Sequence, residues 1–342
     1  MVDEPHPLSL PERVKYIRKN IIAAGSDVKQ RFPVLKYQSA IGLGILLFAL
    51  FSMVIVSTLY LNQLIPWWLC LILNALCLSL AHEIEHDLIH SLYFKKNRFM
   101  HHLMMALVWL VRPSSANPWA RKTLHLKHHQ YSGSELDIEE RALSNGTRWG
   151  VLRLLMTADL MVAMAVVAWQ DKDKGDRLGM VMTGIKAFFP VAMLTWGLWY
   201  LFLLVHGVDV AAALLGMPIA WSAGTQALIG DLDMLVVVLI GPNILWSFCL
   251  HFVSSNMHYH GDVEHNNLLQ QTQVMNPWWL WPLQLFCFNF GSTHSIHHFV
   301  VNEPFYIRQL TAAKAHRVMR EMGVRFNDYG SFNRANRWKS SG

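Results

Sequence analysis

Uncharged apolar runs about as long as a bilayer is thick alternate along this chain with stretches dense in Lys and Arg. The first run, "IGLGILLFALFSMVIVSTLYL", covers residues 41–61. As a helix it is long enough to cross a hydrocarbon layer of about 30 Å. "NQLIP" reads as a tight turn, and "WWLCLILNALCLSLAHEIEHDLIH", residues 67–90, runs back. A third span is expected over about 185–206 and a fourth over 232–253, with a kink at Pro242. Between them "VAAALLGMPIAWSAG" reads as a short re-entrant or interfacial piece. "WGVLRLLMTADLMVAMAVVAW", residues 149–169, carries Arg153 and Asp159 and is read as one helix lying in the membrane surface.

Charge placement orients these spans. Residues 1–40 hold seven Lys and Arg, residues 41–94 none, the segment 95–186 many, and residues 187–307 none again. Positively charged loops stay on the cytoplasmic side. The N-terminal segment 1–40, the 95–186 segment and the C-terminal tail 311–342 are therefore expected inside. The loops at 62–66 and 207–231 are expected outside. Of 342 residues, 53% are hydrophobic and only 15% charged, against about 25% charged in a soluble domain. The expected fold is all-α: a polytopic helical bundle of about four spans, residues 41–310, with a cytoplasmic helical cap. Localisation follows as a multi-pass integral protein of the inner (plasma) membrane. The isoelectric point near 9.1 reflects dispersed basic residues with no nucleic-acid motif, so lipid headgroups are the expected partner. Cys70, Cys77, Cys249 and Cys287 sit in apolar stretches without CxxC spacing and read as small core residues. The N-terminus lacks the apolar core of a cleaved signal peptide.

The chemistry lies in the histidines, of which there are 18. They cluster in "HEIEHDLIHSLYF" (His82, His86, His90), "HLKHH" (His125, His128, His129), "NMHYH" (Asn256, His258, His260) and "HSIHH" (His294, His297, His298). Residues four apart on a helix share a face, so His86 and His90 can reach one metal, as can Asn256 and His260. In HxxHH the first two imidazoles share a face and the third points about 100° away, toward a neighbouring centre. Two such boxes suit a pair of metals, and imidazole without thiolate suits Fe, Zn, Cu or Ni. Single histidines such as His101, His102, His206, His251, His265 and His316 are read as polar caps or structural contacts. A metal transporter is the rival from another class. Its ligands would lie at the bilayer midplane, whereas these lie at the cytoplasmic ends of the spans.

"HDLIHSLYF", "LHLKHHQYSGSELDIEE" and "HSIHHFVVNEPFY" resemble, in order and separation, the three histidine boxes of the membrane fatty acid desaturase superfamily. Asn256 to His260 resembles its NxxxH element, and the resemblance covers about residues 40–310. The superfamily also includes alkane hydroxylases, carotenoid oxygenases and decarboxylases that form terminal alkenes. The resemblance implies two ferrous ions with O2 as co-substrate. It implies as ligands His86, His90, His125, His128, His129, His260, His294, His297 and His298, with Asn256 holding a water. His82 stands as an alternate ligand in the overlapping HxxxH, and His258 as the rival of His260. Asp87, Asp137, Glu139 and Asp262 are candidate acceptors for the imidazole N–H groups.

The function these features imply is O2-dependent oxidation of a long-chain fatty acyl lipid by C–H abstraction. Desaturation is favoured over decarboxylation and hydroxylation, because no Lys or Arg exists between 187 and 307 to hold a carboxylate. Cationic anchors would have to come from Arg112, Arg121, Lys122 or Arg308. No fused electron-transfer motif is present, so a separate ferredoxin, cytochrome or reductase is expected. "PWWLWPLQLFCFNFG", residues 277–291, reads as an aromatic interfacial belt or as tunnel lining.

Overall fold

The computed structural model describes residues 7–143, 146–170 and 174–339. Among them every extended element is a helix, and four helices are long and apolar enough to cross a membrane. A first helix, α1 (Leu10–Arg31), precedes the spans α2 (Gln38–Leu61) and α3 (Trp67–Ile89). Six shorter helices follow: α4 (Arg98–Val111), α5 (Pro118–Tyr131), α6 (Ile138–Leu143), α7 (Val151–Ala158), α8 (Leu160–Gln170) and α9 (Lys174–Phe188). The third span is α10 (Val191–Leu214) and the fourth is the 35-residue α11 (Ala223–Met257). The two longest helices after it are α12 (Phe290–Phe299) and α13 (Phe305–Glu321), among shorter turns.

The third and fourth spans are longer than the apolar runs alone suggest. No separate re-entrant piece forms between them: α10 continues to Leu214, and Ser222 caps α11 by accepting from the Thr225 N–H. Near Pro242, α11 loosens into a π turn over Val236–Ile240. Proline has no N–H to offer the carbonyl four residues back, and its ring crowds that carbonyl. The freed Val238 oxygen accepts instead from Asn74 Nδ2 of α3 at 2.9 Å. In a membrane, where water cannot step in, that bond both satisfies the break and fixes the register of α3 on α11. His82 and Trp246, eight residues further along each helix, pack with ring centroids 5.3 Å apart, so the two helices run parallel. Their histidine-bearing ends therefore coincide.

The stretch 149–169 is two helices, not one. Asp159 takes an extended conformation, and its Oδ1 accepts from the Met161 and Val162 N–H groups, starting α8 afresh. Arg153 turns inward and is fully buried. It donates to Ser255 O at 2.8 Å and Thr147 O at 2.9 Å and lies over the Trp149 ring. A charge that reads as interfacial in sequence thus pins α7 to the end of α11. At the other flank, α1 packs on α13 and α12 through Ile17, Ile21, Ile296, Phe299, Val318 and Met319.

Candidate metal centre

Four elements deliver the histidines to one place. The end of α3 carries His86 and His90, and the end of α11 leads into His258. Helix α5 starts at a local signal: Pro118 takes the first position, and Asn117 Oδ1 accepts from the Trp119 and Ala120 N–H groups. Its last two turns then present His125, His128 and His129 inward. Helix α12 is buried along its whole length and carries His294, His297 and His298. It can lie this deep because Gly291 has no side chain: a Cβ there would stand 2.3 Å from Met275 O. At the end of α5, Gly133 takes φ +80°, and its carbonyl accepts from the Gly261 N–H at 2.7 Å, tying this box to the segment after α11.

The rings sort into two groups. In the first, His86, His90, His125 and His297 each offer a ligand nitrogen, all within 4.8 Å of one another. His129 joins them, its Nε2 3.1 Å from His125 Nε2 and 3.0 Å from His297 Nε2. In the second, His128, His258, His294 and His298 meet the same 4.8 Å limit. Nitrogen pairs at 3.0–3.2 Å recur: His90 to His297, and His294 to His298. Two ligands about 2.1 Å from one ion and at right angles to each other stand about 3.0 Å apart. Among the described residues, His86 Nε2 and His258 Nε2 are buried without a hydrogen-bond partner. Inward-facing nitrogens at this spacing, orphaned from protein donors, fit two cations.

Four of the outer nitrogens are held, which fixes those tautomers and leaves their Nε2 free. His125 Nδ1 donates to Glu139 at 3.0 Å and His128 Nδ1 to Asp137 at 2.8 Å. His258 Nδ1 donates to Ser254 O at 2.9 Å and His298 Nδ1 to Gln271 Oε1 at 3.2 Å. Burial and neighbouring imidazoles hold His125, His129, His294, His297 and His298 neutral, well below the usual histidine range. Burial likewise brings His90 and His258 down to about 4. His128 differs: burial opposes its charge, but Asp137, with Glu139 and Glu140, more than offsets this and raises it to about 9.

Several sequence expectations change here. His258, the rival, occupies the second group, and His260 does not. The chain leaves α11 at His258, and His260, also buried, lies outside both groups with its Nε2 3.8 Å from Glu135. Asn256 does not face the histidines. Its Oδ1 accepts from Trp149 Nε1 at 2.7 Å, and its Nδ2 donates to Phe252 O. Asp87 holds no imidazole: it accepts from Tyr93 Oη at 2.7 Å, from the Phe305 N–H and from Arg308, clamping α13 to α3. Asp262 accepts from the Trp338 and Lys339 N–H groups. His82 stands outside both groups, against Trp246 and 3.4 Å from Arg121 Nη1. Gln271 and the Ser254 carbonyl carry no sequence signal for their roles. The isolated histidines make ordinary contacts, such as His102 with Trp119 and His316 with Ser292 O.

A model of the fatty acid desaturase family matches residues 62–330, more than three quarters of the chain. The chain belongs to this family. All four histidine-bearing elements fall inside the match. No curated protein matches it. As a member of the desaturase family it is an oxidoreductase of the membrane with a lipid substrate, and its two histidine groups are ones that could hold metal ions. A cavity of about 640 Å³, in the range of ligand sites, begins at these rings. His86 and His125 of one group and His128, His258 and His294 of the other line it. From there it passes Leu160, Met164, Phe188 and Trp196. Within 277–291 the tryptophans 278, 279 and 281 are exposed, and only Phe290 reaches the cavity, as an interfacial belt requires.

Proposed function

We propose that this chain oxidises a long, unbranched fatty acyl chain in an O2-dependent reaction and introduces a carbon–carbon double bond. The observation that carries the proposal is the apolar cavity that ends on both histidine groups. Iron is the proposed metal: His86, His90, His125, His129 and His297 would hold one ion, and His128, His258, His294 and His298 the other. Two ferrous ions bound there would supply the reduction of O2 and the power to break an unactivated C–H bond. The protein's share is placement. Leu160, Met164, Phe188 and Trp196 keep the acyl chain extended and dry, and Glu139, Asp137, Ser254 O and Gln271 hold the imidazoles in register. Over the whole reaction the substrate loses two hydrogens. With two protons and two electrons, one O2 then leaves as two waters. A separate ferredoxin, cytochrome or reductase would deliver the electrons to the exposed cytoplasmic side of the cap.

The charge pattern supports an inner-membrane setting with both termini and the 95–186 segment inside, the bundle over 41–310 and cytoplasmic flanks over 1–40 and 311–342. A second reading, loss of the carboxyl carbon to leave a terminal alkene, is favoured by Arg112 and Arg121, which line the cavity beside the histidines. Uniformly labelled fatty acid fed to cells making the wild type or His128→Ala tests both. An unsaturated acid of equal length supports desaturation, and an alkene one carbon shorter supports the second reading. Identical products from wild type and His128→Ala refute the enzyme.

A further inference from the structure

The cavity has two unlike ends. Val181, Ile185 and Met193 border it, are apolar and about two-fifths exposed, and mark a lipid-facing mouth. The inner end is charged. Arg112, only 1% exposed, and Arg121 both donate to the same oxygen of Glu85, itself fully buried. The two guanidinium groups share this one buried carboxylate, and a second acid, Glu139, lies 3.9 Å from Arg121 Nε. Around the pair, Arg112 Nε, Ser114 Oγ and His82 Nε2 are buried and have no hydrogen-bond partner. Arg112, Ser114 and His82 all line the cavity. Several buried donors converging without partners call for an acceptor with more than one lone-pair oxygen.

We infer that the inner end of the cavity is a carboxylate site formed by Arg112, Arg121, Ser114 and His82, and that the substrate is a free fatty acid lying head inward. This deepens the proposed fatty acyl oxidation, in either of its two readings, and rests on it. The reverse pose would press a methyl end against two guanidinium groups and leave their donors unmet. A thioester offers these donors one carbonyl oxygen, where a carboxylate offers two. The Trp246 ring packs on Arg112, 4.2 Å from the guanidinium carbon to the ring centroid, and holds that side chain at the inner end. Arg121 Nη1 is 3.4 Å from His82 Nδ1, and the His82 ring lies 6.4 Å from that of His86. The carbons presented to the histidine groups are therefore those near the carboxyl.

Binding of hexadecanoic acid, its methyl ester and its coenzyme A thioester to the metal-free protein in nanodiscs tests this without turnover. The acid is expected to bind about 10–100-fold more tightly than either ester, as charge-assisted hydrogen bonds predict. Arg121→Gln should remove about tenfold or more of that preference and leave methyl ester binding unchanged. Where Arg112→Gln alone fails to fold because Glu85 is left exposed to one partner, the double variant Glu85→Gln, Arg112→Gln carries the test. Equal binding of acid and esters, or an Arg121→Gln protein with undiminished preference for acid, overturns the site. Turnover of the thioester but not the acid also overturns it while sparing the oxidase reading. Tight acid binding without any turnover supports the site and sinks the oxidase reading instead.

Discussion

Replacing His258 and His260 separately by Ala asks which of two histidines, one residue apart from adjacency, belongs to the metal centre. The His258 ring is buried, its Nδ1 held by Ser254 O at 2.9 Å and its Nε2 within 4.8 Å of three other imidazole nitrogens. Loss of a residue that merely orients a ligand weakens metal binding about 10–100-fold. Loss of the ligand itself, one of four, should exceed 100-fold, or about 2.7 kcal/mol. His258→Ala protein should thus retain about one iron where the wild type retains about two, with turnover abolished because ligands act as a unit. His260 is buried but stands outside both groups, its Nε2 3.8 Å from Glu135. Truncating it costs stability of about 0.5–3 kcal/mol but removes no grouped nitrogen, so His260→Ala should keep both metals and turn over within about threefold of wild type. Elemental analysis of the purified proteins, beside product formation from labelled fatty acid, reads both. Full iron in His258→Ala with loss in His260→Ala would refute the grouping.

Asp137→Asn removes the carboxylate behind His128 but keeps the shape. Iron affinity should fall about 10–100-fold in chelator competition, and a loss under twofold would show that the contact does not support the ligand. Gly291→Ala drives a methyl group to 2.3 Å from Met275 O, so α12 must shift. A loss of about 1–3 kcal/mol, read as a lower melting temperature, and reduced iron content are expected, and an unchanged melt would contradict the packing. All four native cysteines are buried, so single introduced cysteines report topology cleanly. In intact cells an impermeant maleimide should label Gly224→Cys but not Glu135→Cys, and labelling at 135 would reverse the orientation.

The spans were legible in the sequence because a membrane leaves the backbone little choice: an apolar run must be a helix long enough to cross. The boxes His125–His129 and His294–His298 were legible because helical spacing alone puts their imidazoles on adjoining faces. Local spacing could not say where a helix stops. His258 and His260 looked alike in sequence, and only the folded chain brings His258, and not His260, into the second group. Asn256 matched a motif letter for letter, yet Trp149, more than a hundred residues earlier, holds its oxygen. Asp87 sits among ligands in sequence, but Tyr93, in the turn after α3, and Arg308, which only packing brings near, claim it. The carbonyl freed by Pro242 was foreseeable as a defect, and only the register of α3 on α11 decided that Asn74 would satisfy it. Hydropathy and helical period act within one segment, so sequence carries them. The partner of a buried polar group is set by which segments meet, and only the tertiary structure decides that.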